Sequence, residues 1–172
     1  ERGTAGDHIN DCPSGLMEII GESVMLRALR RQDAESVGQW LHNPTVNEWM
    51  VLGRTVGTPE RWVGELADGW PRHVVRGIVA RKSRLDGAPL GLLCGVVGLF
   101  DLDWLQRRAE LRIAMGCLLG EGFGTEAVKL MVGYGFTALD LFRIFLGTAE
   151  DNVGARKCFE KAGFKYEGTL VK

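Results

Sequence analysis

The run Leu119-Gly120-Glu121-Gly122-Phe123-Gly124-Thr125 constrains this chain more than any other segment. Three glycines at alternate positions leave one side of the backbone bare. A helical stretch, Thr125–Leu139, follows at once, and a helix start carries unpaired N–H groups and a partial positive charge. Such a junction suits a phosphate or pyrophosphate, although glycines at a turn also make an ordinary flexible loop. Upstream, Ala109, Leu111, Ile113 and Met115 alternate with Arg108, Glu110, Arg112 and Ala114, so Arg107–Met115 reads as a strand with one apolar face.

The remaining pattern sets this junction in an α/β chain. Val24–Leu29 reads as a first strand, and Ala34, Val37, Trp40 and Leu41 share one face of a helix over Arg31–His42. Asn43-Pro44 ends that helix, and Val46, Trp49 and Met50 share a face of a short second one. Thr58-Pro59 reads as an N-cap followed by proline in the first helical position, opening a helix to Asp68. Val74–Lys82 and Pro89–Leu102 read as strands about a turn at Leu85–Ala88. After the glycine loop and its helix, Leu141–Thr148 reads as a strand, Asn152–Ala162 as a helix, and Gly163–Tyr166 as a return to strand. The expected fold is a mixed sheet, an antiparallel meander followed by strand, helix, strand, helix and strand. Residues 1–22 are expected to be a flexible arm ahead of one domain spanning 23–172, a size that suits a single core.

Charge and cysteine usage narrow the function. A net charge of -1 and a pI near 6.4, with no basic stripe, argue against nucleic acid as a partner. The apolar runs are too short to span a membrane. Cys12, Cys94, Cys117 and Cys158 match no zinc spacing, and His8 beside Cys12 does not make a metal site. No metal is expected, and the thiols read as free groups of a reducing cytoplasm.

Nucleotide readings of the loop fail on its own grammar. A dinucleotide fingerprint needs Gly-x-Gly-x-x-Gly, and this is Gly-x-Gly-x-Gly; the following acid, Asp140, precedes the next strand and so lies at its wrong end. A P-loop needs Gly-Lys-Ser/Thr, and here Gly124 is followed by Thr125-Glu126.

The segment instead resembles the GNAT superfamily of N-acetyltransferases. Gly122-x-Gly124 occupies the glycine positions of that family's acetyl-CoA signature. Asn152-Val153-Gly154-Ala155 with Phe159 and Gly163-Phe164 is similar to its second signature. Met25-Leu26-Arg27-Ala28-Leu29, Asp33, Trp40-Leu41 and Pro44-Thr45-Val46 look like the branch of ribosomal-protein alanine and spermidine acetyltransferases, and some aminoglycoside acetyltransferases open and close alike. The resemblance implies that Leu119, Gly120, Glu121, Gly122, Phe123, Gly124 and Thr125 hold the pyrophosphate of acetyl-CoA, used as co-substrate. It implies that the backbone of Ile113, Ala114 and Met115 binds the pantetheine arm as an added strand. Asn152 would touch the arm near the sulfur, with Ala155 and Phe159 packing against it. Two positions depart from the family: Leu119 stands where Gln or Arg is usual, and Phe159 replaces the tyrosine that often protonates the departing thiolate. The chain also stops soon after Gly168, where relatives continue into another strand; an exposed sheet edge would favour a homodimer.

Glu110, on the polar side of its strand, is the candidate general base; the competing reading is an ion pair with Arg108 or Arg112. Asp101 and Asp103 are reserve candidates that could equally bind a cationic substrate. Trp49, Trp62 and Trp70 could line an acceptor pocket or simply fill the core. The acceptor is expected to be an amine on a peptide N-terminus, a polyamine or an aminoglycoside. The alternative from another class is a catalytically quiet acyl-CoA-binding or regulatory module.

Overall fold

The computed structural model describes residues 18–47, 58–69, 71–81 and 91–170. Six strands lie side by side in chain order: β1 (Ile19–Ile20), β2 (Val24–Ala28), β3 (Val74–Ala80), β4 (Leu93–Asp103), β5 (Arg108–Met115) and β6 (Arg143–Phe145). The first five are antiparallel. Between β5 and β6 the chain crosses over through α4 (Phe123–Thr137), so β6 returns parallel to β5.

Both faces of the sheet are covered. On one side Val24, Leu26, Ile78, Val97, Leu99 and Leu111 pack beneath Phe123, Val128 and Met131 of α4 and Phe159 of α5 (Val153–Lys161). On the other, Val75, Val79, Val96, Phe100 and Ala114 pack beneath Val37 and Trp40 of α1 (Ala34–Leu41) and Trp62, Val63 and Leu66 of α3 (Pro59–Ala67). Neighbours such as Val96 and Val97 thus point to opposite clusters, as strand geometry requires. All seven residues of β3 are buried for the same reason, which is why its sequence alternates so loosely.

Most local expectations hold. A 3-10 turn, Arg31–Asp33, leads into α1, and α2 (Pro44–Asn47) begins at the proline. Thr58 Oγ1 accepts the Arg61 amide at 3.4 Å, capping α3 with Pro59 in its first turn. Trp49, Met50, Trp70, the turn at 85–88 and residues 1–17 lie outside the described residues.

Four expectations change. The arm assigned to 1–22 contains β1, whose Ile19 and Ile20 pair with Leu26 and Met25. The strand expected over Leu141–Thr148 narrows to three residues, and α4 starts at Phe123 rather than Thr125. Gly163–Tyr166 forms no strand, because its first residues close α5 instead. The Gly163 amide donates to the Glu160 carbonyl and the Phe164 amide to the Phe159 carbonyl, both at 3.0 Å, with Gly163 at φ 100°. Phe164 then sets its ring edge-on to Phe159 at 6.1 Å. This is a complete Schellman cap with its apolar contact, and its left-handed residue turns the chain out of an extended path.

Candidate active site

The site begins where two strands part. β5 pairs with β4 along its length to Met115, but its pairing with β6 ends at Glu110 opposite Phe145. From Leu111 to Met115, β5 has a ladder partner on one side only among the described residues. The hydrogen bonds fix which backbone groups face the gap. The Gly116 amide donates to Cys94 of the β4 side, and the Arg143 amide donates to the Arg107 carbonyl. Antiparallel alternation then turns the even-numbered residues of β5 toward β4 and the odd-numbered ones toward β6 and the gap. Ile113 and Met115 therefore present their amides and carbonyls to the open side. Ala114 is turned toward Val96 of β4, so the three backbone positions expected at this edge reduce to two.

The glycine loop lies at the end of that edge. Leu118, Gly120 and Gly122 have φ of 53°, 84° and 84°. Left-handed residues alternating with ordinary ones turn successive N–H groups into a common concavity that suits an anion. Leu118 adopts this backbone without being glycine, at a cost on the order of 1–2 kcal/mol. Gly122 then caps α4 without a side-chain hydrogen bond, and the helical ladder starts with Glu126 donating to Gly122. The amides of Phe123, Gly124 and Thr125 have no acceptor within the helix. The side chain of Phe123 is fully buried, so any part it plays in the site is through its backbone. Leu119, in the first signature position, is exposed.

α5 packs against the start of α4. A Cβ built on Gly124 would stand 3.4 Å from Met115 Cγ and 3.8 Å from Cys158 Sγ. The Thr125 hydroxyl donates to Cys158 Sγ at 3.4 Å. Asn152 caps α5, its Oδ1 accepting the Ala155 amide at 3.0 Å. Phe159 is buried in the core under α4, packed on Phe164. Neither Tyr134, which is buried under Arg76, nor Tyr166, whose hydroxyl pairs with Thr169 at 2.6 Å, replaces the missing tyrosine at that position.

On the opposite face of β5 stands an ionic cluster. Arg112 donates through Nε and Nη2 to Glu110 Oε2, at 3.0 and 2.5 Å, and through Nη2 to Asp101 Oδ2 at 3.1 Å. Its guanidinium lies 4.9 Å from the centroid of Phe100, and His73 stacks on the same ring at 5.3 Å. The hydrogen bonds to Glu110 push the guanidinium's pKa higher still; desolvation opposes this and the charges of Glu110 and Asp101 add to it. Of the two readings of Glu110, the geometry is that of the ion pair with Arg112. Asp101 sits at a β4 bulge with φ of 51°, an unusual backbone for a non-glycine residue. Asp103 fastens the β4–β5 turn, where it accepts the Gln106 amide at 2.9 Å and faces Arg108 at 3.5 Å. Trp62 is buried in the core rather than lining a pocket.

The spacing of Glu110 and Arg112, two apart on one strand, signals that they share a face. The approach of Asp101 depends on the bulge and is not encoded in any local pattern. Cys94 is buried, and desolvation, helped by nearby Cys117, raises its thiol to about 12. Burial raises Cys117 as well. Cys94, Cys117 and Cys158 are free. Among the described residues no group of three or more side chains could hold a metal, and no helix is long and apolar enough to cross a membrane.

Comparison with known proteins identifies the family and the fold. Residues 23–165 match the acetyltransferase (GNAT) domain model. A spermidine N(1)-acetyltransferase of Escherichia coli K12 is 32% identical over 151 residues, covering 87% of this chain and 76% of the relative. An aminoglycoside N(6')-acetyltransferase type 1 of Klebsiella pneumoniae is 27% identical over 169 residues, covering 87% and 78%. The fold is shared with a spermidine N-acetyltransferase from Vibrio cholerae solved in complex with CoA and spermine. Its TM-score is 0.67 at 24% identity, covering 88% of this chain and 86% of that one. These are the relatives that the opening segment and the two signatures point to. The chain belongs to the GNAT family and is an acetyl-CoA-dependent N-acetyltransferase.

Proposed function

We propose that this chain acetylates the primary amine of a peptide N-terminus, with acetyl-CoA lying along the open edge of β5. The observation that carries this reading is a convergence. The backbone of Ile113 and Met115, without a ladder partner on its open side among the described residues, leads directly to the left-handed turns at Leu118, Gly120 and Gly122 and to the start of α4, which no side chain caps. An extended amide-bearing arm ending in a pyrophosphate fits that path, its arm hydrogen-bonded as a strand is and its phosphates on the helix start. Bound acetyl-CoA supplies the acetyl group as a thioester, transferred directly to the amine in a ternary complex.

The chain's own groups then divide the chemistry. The amides of Gly120 through Thr125 hold the diphosphate, with Leu119, Glu121 and Phe123 contributing backbone. An amide of the β5 edge polarises the thioester carbonyl. Asn152, whose Oδ1 is used by the Ala155 amide, keeps its amide nitrogen as a donor toward the arm. Holding both reactants in line supplies a large part of the rate. Glu110 takes the amine's proton once the acceptor displaces Arg112 from its carboxylate. Phe159 carries no proton, so water protonates the departing thiolate. The free thiols at Cys94, Cys117 and Cys158 are in keeping with a reducing, cytoplasmic setting.

An acceptor screen with Glu110→Gln tests these roles. Turnover of a peptide N-terminal amine by the native chain is expected, with a fall in kcat/KM of roughly 10²-fold or more in the variant and acetyl-CoA affinity unchanged. A variant as active as the native chain would remove Glu110 from the mechanism.

A further inference from the structure

The Arg112 guanidinium bridges the two carboxylates that a cationic acceptor would seek on this face. It donates to Glu110 at 2.5 and 3.0 Å and to Asp101 at 3.1 Å, and it covers the Phe100 ring at 4.9 Å. Two carboxylates and an aromatic face are what an ammonium group recognises, and here a side chain of the protein already fills that place. The next pair along the sheet, Arg108 with Asp103 at 3.5 Å, balances itself. The Glu110, Asp101 and Arg112 cluster therefore carries one net negative charge, and it would carry two without Arg112. His73 reaches the cluster through its stack on Phe100, its own Nε2 lying 3.2 Å from the Glu65 carbonyl.

We propose that Arg112 is a specificity-determining residue, admitting acceptors with a single positive charge, such as a peptide N-terminus, and disfavouring polyamines. This role for Arg112 rests on the acetyltransferase reading above. A tethered guanidinium competes at an effective concentration on the order of millimolar, so a free polyamine must displace it at each carboxylate it uses. An acceptor with one amine needs a single carboxylate, Glu110, and leaves the contact between Arg112 and Asp101 in place. Asp101, at the β4 bulge with a left-handed backbone unusual for a residue other than glycine, supplies the carboxylate at the far end of that bridge.

The test uses the full chain, Arg112→Gln and Arg112→Lys, with spermidine and an alanyl tripeptide amide as probes. Calorimetry measures the affinity of each probe, and kcat/KM is measured for both with acetyl-CoA. The native chain and Arg112→Lys are expected to favour the tripeptide amide. Arg112→Gln is expected to bind spermidine about 10-fold more tightly or better, and to shift the kcat/KM ratio toward spermidine by a similar factor. Equal spermidine affinity in the native chain and Arg112→Gln, or a native preference for spermidine, overturns the proposal. Absence of acetyl transfer by every variant would instead sink the acetyltransferase reading, and the calorimetric comparison would still decide the role of Arg112.

Discussion

Asp33 is buried and accepts three hydrogen bonds: Arg27 Nη1 and Nη2, each at 2.8 Å, and the Arg30 amide at 2.7 Å. Arg27 lies on β2 and Asp33 in the turn that opens α1, so this pair fastens the first helix to the sheet. Burial by itself would raise the Asp33 pKa. The bonds from Arg27 and the Arg30 amide, with the charges of both arginines, outweigh it and hold the carboxyl below its usual 3.8. A carboxylate with a lowered folded-state pKa adds stability that is fully present above its unfolded value and is lost as pH falls through the folded one. Asp33→Asn should cost on the order of 3–5 kcal/mol at neutral pH, because it leaves Arg27 buried without its partner. The loss should begin to shrink as pH falls below 3.8, where the unfolded chain's carboxyl takes up a proton before the folded one does, and vanish only below the lowered folded-state value. Urea midpoints at pH 7 and pH 3.5 check this, and a pH-independent difference would contradict it. The sequence places Arg27 and Asp33 in the opening pattern, but nothing in their spacing shows that they touch. That contact depends on the 3-10 turn between them.

Elements with a single periodicity are legible in the sequence, and elements closed by special backbone are not. The alternation of β5 follows from Ala109 and Leu111 facing the α4 core while Arg108, Glu110 and Arg112 face the other way, and the helical spacing of α1 follows from its buried face. Thr58-Pro59 announces α3 through cap chemistry alone. By contrast, the C-terminal strand read into Gly163–Tyr166 fails because Gly163 is a helix cap, and glycine before an aromatic residue suits both roles. β1 escapes a pattern reading because two paired residues beside a glycine leave no periodicity. The glycine loop reads in the sequence as a candidate anion site, but its left-handed turn at Leu118 is not legible, since leucine gives no sign of that backbone. Gly116, at the end of β5, has another reason to be glycine: a Cβ there would overlap the Trp40 ring of α1. Gly116→Ala should therefore destabilise the chain by about 1–3 kcal/mol. It should also weaken acetyl-CoA binding, as the displaced segment leads into the loop. An unchanged urea midpoint would show that Trp40 moves aside freely.

At the scale of the whole molecule, the proposed arrangement sets cofactor and acceptor on opposite sides of the sheet. One side of β5, with α4 and α5, forms the edge and loop that fit acetyl-CoA. The other side, with α1 and α3, carries Glu110, Arg112, Asp101 and Phe100, where an acceptor would meet charge and an aromatic ring. The two meet because β5 and β6 part after Glu110. Every role proposed for these residues depends on the loop before α4 holding the cofactor. The decisive measurement is a calorimetric titration with acetyl-CoA of the native chain and of Gly122→Arg, with thermal unfolding of both as a check on folding. Gly122 has φ of 84° and caps the helix at the proposed anion site, so an arginine there strains the turn and places a long side chain beside it. Micromolar binding by the native chain, and its loss in a folded variant, are the expected results. Native-like affinity in Gly122→Arg, or no binding by the native chain, would contradict this placement of the cofactor.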